Sequence, residues 1–344
     1  MHFSRVVLAS TAASIAAAAP FSFPLANGFP NLNATAMQQV FKLAGGILPN
    51  GALPSSLKAG GVQALQLIAA NELFEVAYFT ELIHNITTGV SGYKCGRDAL
   101  ESLQAVVAQE QVHVLAANGV LANAKAETIQ PCKYSFPVDN FDDAISLAQT
   151  FTEVVLGVLP VAQGLFAADG GDEVGLVPIV GSIIGQEGEQ VGYYRSIQNK
   201  VVSSAPLLTG GAPQFAFTAI SQFIVPGSCP NIEAIGLTAF PALTITSTPE
   251  AMNSTQQFSI EGGNITEGSA SIAYISGQNL PVVVPVSNVM TNGSMTTFSA
   301  AFPYEAGFAR GLTLGALVKG SGPFNSSSDV AAATLNGPAL IEVD

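Results

Sequence analysis

Four apolar stretches of this chain have helical spacing, and each carries carboxylates with almost nothing basic to balance them. Between Gly61 and Ile83 the charged residues are Glu72, Glu75 and Glu81. Between Leu103 and Leu121 there is Glu110, with His113 three residues on, and between Ala144 and Ala168 there is Glu153. IVGSIIGQEGEQVGYYR brings Glu187 and Glu189 ahead of Arg195. A carboxylate buried without a partner is costly, so each must be exposed, protonated or coordinated. One mid-helix glutamate on each of four helices points to coordination in the middle of a bundle. Residues i and i+3 share a helix face, so Glu110-x-x-His113 can aim two ligands at one point. A lone pair of that spacing is common surface chemistry; the other three helices give it weight here.

The chain organises around those helices. Residues 20–58 are rich in Pro, Gly and Asn and read as an extended segment with one short helix near Met37–Leu43. The first long helix follows from Gly61. The second runs from Asp98 to about Asn118, with Asp98 and Glu101 spaced as a capping box. The third begins at Asn140, with Asp142 and Asp143 in its first turn, and meets Pro160, which must kink or end it. The fourth spans roughly Glu173 to Lys200, and APQFAFTAISQFI adds a shorter helix. Some twenty residues separate the second and third long helices, more than antiparallel neighbours need but enough to run the length of a bundle. From about residue 227 the pattern becomes short β-rich runs broken by Gly, Asn and Pro: LTITST, QFSIEG, ASIAYIS, LPVVVPVSN, MTTFSAAF, LTLGALVKG. The expected fold class is mainly α, a four-helix bundle at 59–226 with a long crossover, followed by a small β-sandwich-like region at 227–344.

Composition removes several function classes. Hydrophobic residues make up 48%, charged ones 10%, and the formal charge is −13, so nothing here attracts nucleic acid. No G-x-S-x-G elbow or H-E-x-x-H helix is present, so a hydrolase has little support. The first 19 residues have the layout of a secretory signal peptide, a short basic start, an apolar middle and small residues to Ala19, rather than a membrane span. Six acceptor sequons, at Asn33, Asn85, Asn253, Asn264, Asn292 and Asn325, fit N-glycosylation in a secreted or cell-surface protein. Three cysteines then suggest one disulfide. A crossover that returns to the start of the second helix favours Cys95–Cys132, leaving Cys229 free or pairing between chains.

NELFEVAYFTELIHNIT, QEQVH, PCKYSFPV, FTEVVLGVLP, IGQEGEQVGYYR and VPGSCPN, in that order, resemble the fungal late sexual development (LsdA-type) proteins, within the wider ferritin-like group that includes desiccation-related and stress-response proteins. The resemblance covers about residues 22–245. It implies a ferritin-like bundle, a secreted or surface location, and no established activity. Di-iron members of that fold carry Glu on helix one, Glu-x-x-His on helix two, Glu on helix three and Glu-x-x-His on helix four. Those positions fall on Glu72, Glu110 with His113, Glu153, and Glu187, with Gln190 where the second histidine would stand. Glu75 shares a face with Glu72 as a further candidate.

The expectation is a carboxylate site for two iron or manganese ions, one of them weakly held. Glu110 bridges, Glu72 and His113 bind one ion, and Glu153 and Glu187 bind the other. The alternative is a wall or matrix protein, able to self-associate, that retains the bundle without metal. Tyr78, Tyr193 and Tyr194 read as packing residues. No reaction or substrate follows from these residues.

Overall fold

The computed structural model describes residues 22–263 and 265–344. The expected signal peptide and the sequon at Asn264 lie outside the described residues. Helix α1 spans Ala34–Ala44, and its N-cap is Asn33, whose side chain accepts the Ala36 N–H. The four long helices are α2 (Ala59–Thr87), α3 (Arg97–Asn123), α4 (Phe141–Asp169) and α5 (Leu176–Ile197), and α6 (Pro213–Ser221) follows. Asn140 caps α4 as its position suggested, accepting from Asp143. The capping box on α3 does not form. Gly96 is the N-cap, without a side-chain bond, and Glu101 pairs with Arg97 one turn away. Glu173 lies not in the fourth long helix but in the 3-10 turn Gly171–Gly175 before it.

Pro160 sits inside α4 on an exposed face, and the helix continues to Asp169. Proline cannot donate to the preceding turn, and another segment of chain comes in there. The Gly211 N–H donates to the Gly157 carbonyl. Residue 157 is a glycine because the Thr209 carbonyl occupies the place a Cβ would take. Helix α4 is long and apolar enough to cross a bilayer, but it is a core helix of this protein, with residues from Ala144 to Phe166 buried along its length.

The C-terminal region holds two four-stranded antiparallel sheets. One has the order β1 (Thr244–Ile245), β2 (Ser254–Glu261), β6 (Met295–Phe302), β5 (Ser287–Asn292). The other has β4 (Val282–Pro285), β3 (Ala270–Ser276), β7 (Gly311–Lys319), β8 (Thr334–Val343). Helix α7 (Ser327–Ala333) and β8 lie beyond the last run recognised in the sequence. The sheets enclose a core containing Phe258, Phe298, Tyr274 and Ile341. The other face of the second sheet, with Ala273, Ile275, Leu312 and Leu314, belongs to the core of the bundle itself. Burial on both faces explains why β3 and β7 are nearly continuous in apolar residues rather than alternating.

The crossover, residues 124–140, pairs with the chain after α6. Ser135 N–H donates to Phe223 O and Val225 N–H to Lys133 O, around a Tyr134–Ile224 bridge. The disulfide is there: Cys132 bonds Cys229, and Cys95 is free. This replaces the expected Cys95–Cys132 pairing, for a reason of length. The 27 residues of α3 separate its ends by about 40 Å. Residues 124–132 reach back at most about 30 Å even when fully extended. The bond closes a loop with a sequence separation of 97. Replacing Cys132 and Cys229 by serine should therefore cost about 2–4 kcal/mol, read from urea melts. Thiol titration of the native wild type should find Cys95 alone.

Candidate metal centre

Helices α2, α3 and α5 bring Glu72, Glu110, His113 and Glu187 together, with one ligand atom of each within 4.8 Å of the others. All four are buried, the three carboxylates completely. His113 Nδ1 lies 2.9 Å from Glu110 Oε2 and 3.3 Å from Glu72 Oε2. The i, i+3 relation read from QEQVH thus places both groups at one point. Gln190 reaches the cluster from α5 as a donor, its Nε2 2.6 Å from Glu110 Oε1, and the Tyr194 hydroxyl donates to Gln190 Oε1 at 3.3 Å. Gln190 therefore orients Glu110 with its amide nitrogen. Tyr194, read from the sequence as packing, fixes which way that amide points.

Glu75 is one turn along α2 from Glu72 and fully buried. Its Oε1 accepts from Asn71 at 2.8 Å, and its Oε2 has no hydrogen-bond partner. Asn71 was not singled out from the sequence; its position beside Glu72 and four residues before Glu75 is the signal that could have found it.

Glu153 is not part of the cluster. Its Oε2 accepts the Leu312 N–H of β7 at 2.9 Å, and its Oε1 accepts from Gln149 at 3.1 Å and lies 3.7 Å from Arg195 Nη1. In the bundle interior α4 presents Phe151, whose ring packs against Phe74, Tyr78 and Phe79. The partners that draw Glu153 away, Leu312 and Arg195, are remote in sequence. Nothing around residue 153 announces them.

The electrostatics show what the cluster lacks. Burial pushes Glu72, Glu75 and Glu187 well above the usual carboxylate range, and the neighbouring carboxylates add to it. Burial also acts on Glu110 and His113, but it is outweighed. His113 and the hydrogen bonds hold Glu110 low, and Glu110 holds His113 high, as an ion pair. With protons alone, Glu110 and His113 are favoured as an ion pair and the other three carboxyls are pushed toward their neutral forms. A protonated Glu72 hydrogen-bonds Glu110, yet four buried carboxyl oxygens have no partner in the structure: Glu72 Oε1, Glu75 Oε2, and both oxygens of Glu187. Buried polar atoms ordinarily find partners, so four orphaned carboxyl oxygens on Glu72, Glu187 and the nearby Glu75 need an explanation. A cation supplies one. Glu72, Glu75, Glu110 and Glu187, fully ionised, balance two divalent ions in charge. The oxygen-rich set with one imidazole suits iron or manganese.

Metal binding must then displace protons. Between the ordinary carboxylate range and the raised folded values, the metal-free protein holds protons that the loaded protein cannot. Affinity should rise with pH across that window. Mn(II) added to metal-free protein in weak buffer at neutral pH should release more than one proton per ion, as a pH indicator would record. No release would mean that the carboxyls were already ionised.

Residues 60–200 match the family model described as "ferritin-like domain", from the first turn of α2 to just past α5. No curated protein matches the chain. The matched span contains all four long helices, the crossover and every residue of the cluster, and this part of the chain is a ferritin-like domain.

Proposed function

We propose that this is a secreted, metal-binding ferritin-like protein whose bundle holds iron or manganese between α2, α3 and α5. The observation that carries the reading is the set of buried carboxyl oxygens without partners, above all both oxygens of Glu187. Glu72, Glu110, His113 and Glu187 hold the first ion. A second, weaker ion draws on Glu75, the remaining carboxylate beside them, since Glu153 is committed to Leu312 and Arg195. The bound metal would supply redox or Lewis-acid chemistry. The chain's own residues keep Glu110 oriented through Gln190 and Tyr194, and keep bulk water out with the rings of Phe74, Tyr78, Phe79 and Phe151.

Secretion is supported by the signal-like start and the sequons, of which Asn33, Asn253, Asn292 and Asn325 are exposed. The Cys132–Cys229 bond fits an oxidising compartment. The resemblance to LsdA-type proteins is the support for a role in fungal development or stress.

Plasma mass spectrometry of the secreted, tag-free protein should find between one and two equivalents of iron or manganese. The Glu110→Ala/His113→Ala variant should lose it, and Glu153→Gln should keep it. An empty wild type, even after anaerobic Fe(II) or Mn(II) loading, would leave the bundle as a scaffold alone. Loss of metal in Glu153→Gln would return that residue to the site.

A further inference from the structure

A cavity of about 250 Å³ lies directly beside the carboxylate cluster. His113 belongs to both. The walls are the next helical turn on each side. Ile68 stands four residues before Glu72 on α2, Ile183 four before Glu187 on α5, and Ala117 four after His113 on α3. The loop between α1 and α2 covers the outer end with Leu48 and Leu53. That loop is pinned by Asn123, whose amide donates to the carbonyls of Leu53 at 3.3 Å and Pro54 at 2.8 Å.

Among the described residues lining the cavity, His113 alone has a polar side chain. That decides what fits. A cation would give up its hydration and meet no opposite charge on the walls, and an anion would meet only His113, whose charge is already paired with Glu110. Water needs two to four polar partners and finds one side chain. A neutral apolar molecule loses nothing by entering, and gains the burial of its surface. An apolar cavity of about 150 Å³ takes benzene, so this one has room for roughly ten non-hydrogen atoms.

We propose that this cavity binds a small, uncharged, largely apolar organic molecule, with its one polar end turned to His113 and its body between α2, α3 and α5. As the substrate site of the metal centre it rests on the reading above. As a binding site it stands without an ion, because its walls are the chain's own apolar side chains.

Gly119 makes the test clean. It lines the cavity on α3, and a Cβ added there meets nothing within 4 Å. Glycine is also a poor residue for a helix interior, so Gly119→Phe fills the space while favouring the helix. Gly164 on α4 is exposed and equally open, away from the cavity, and Gly164→Phe serves as control. The probe is 1-octanol, compared with octanoate and octylammonium, on metal-free and Mn(II)-loaded full chain. Binding is read by saturation-transfer NMR and thermal melts. Octanol should bind wild type and Gly164→Phe and raise their melting temperatures. Gly119→Phe should weaken it at least tenfold, and the two charged analogues should bind at least tenfold more weakly than octanol. In loaded protein, Mn(II) should speed relaxation of the octanol protons nearest the hydroxyl.

Failure of octanol to bind wild type, equal binding in Gly119→Phe, or equal binding of octanoate would each overturn the proposal. Octanol binding in a protein that holds neither Fe(II) nor Mn(II) removes the metal reading and leaves the site standing. A protein that holds Mn(II) but not octanol does the reverse.

Discussion

The exclusion of water from Glu72, Glu75, Glu110 and Glu187 is the condition around which the helical half of this molecule is arranged. Carboxylates at the surface would be hydrated individually and impose nothing on one another. Enclosed between three helices, they must be neutralised together, by protons or by cations. Protons can satisfy the charge and let Glu72 hydrogen-bond Glu110, but oxygens of Glu72, Glu75 and Glu187 have no partner in the structure. Only Glu110 has a complete set of contacts, to His113 and Gln190. The result is one well-defined corner and three underused ones, as expected where a small, multiply charged guest completes the interior.

The centre is lopsided because the fourth helical face has been given other work. Helix α4 contributes aromatic packing toward the cluster, while Glu153 turns to the start of β7. Around it lies a second polar group at the junction of the two halves, buried at Glu153, Gln149 and Arg195 and open to solvent at Asp344. Arg195 Nη2 lies 2.9 Å from Asp344 Oδ1, Lys200 Nζ 3.0 Å from Asp344 Oδ2, and Gln149 bridges Glu153 and Glu342. Burial raises Glu342 well above the usual range, with Glu153 beside it adding to the effect. So α5 serves two polar interiors at once. Glu187 and Gln190 face the carboxylate cluster, and Arg195, two turns beyond Glu187, faces the junction.

Much of this was legible in the sequence because it is local. Helical spacing in VQALQLIAANELFEVAYFTELI, the Asn140 cap and the Glu110-x-x-His113 face depend on neighbours within one or two turns, and each is found where the sequence puts it. What was not legible depends on chain segments far apart. Glu153 looked like a ligand because its isolation on α4 is real, and its true partners come from residues 195 and 312. The cysteine pairing failed on the length of α3 and the place where the crossover docks. Strand β8 escaped notice because TLNGPALIEV mixes Gly and Pro into a run that, beside β7, is mostly buried. The capping box on α3 had the right residue types, but the N-cap is Gly96, two residues before Asp98.

The second sheet, apolar on both faces, makes one interior out of what look like two modules along the chain. Its inner side is part of the bundle's own core, and the buried Arg195 leans on a residue from the end of β8. Lineages that recombine domains would therefore find no clean seam near residue 227. A bundle inherited without this sheet would expose an apolar flank of α4 and α6 and a stranded arginine. A foreign partner would have to bring its own carboxylate and its own backbone donor for Glu153. The α and β halves can be expected to travel through evolution as a single inheritance.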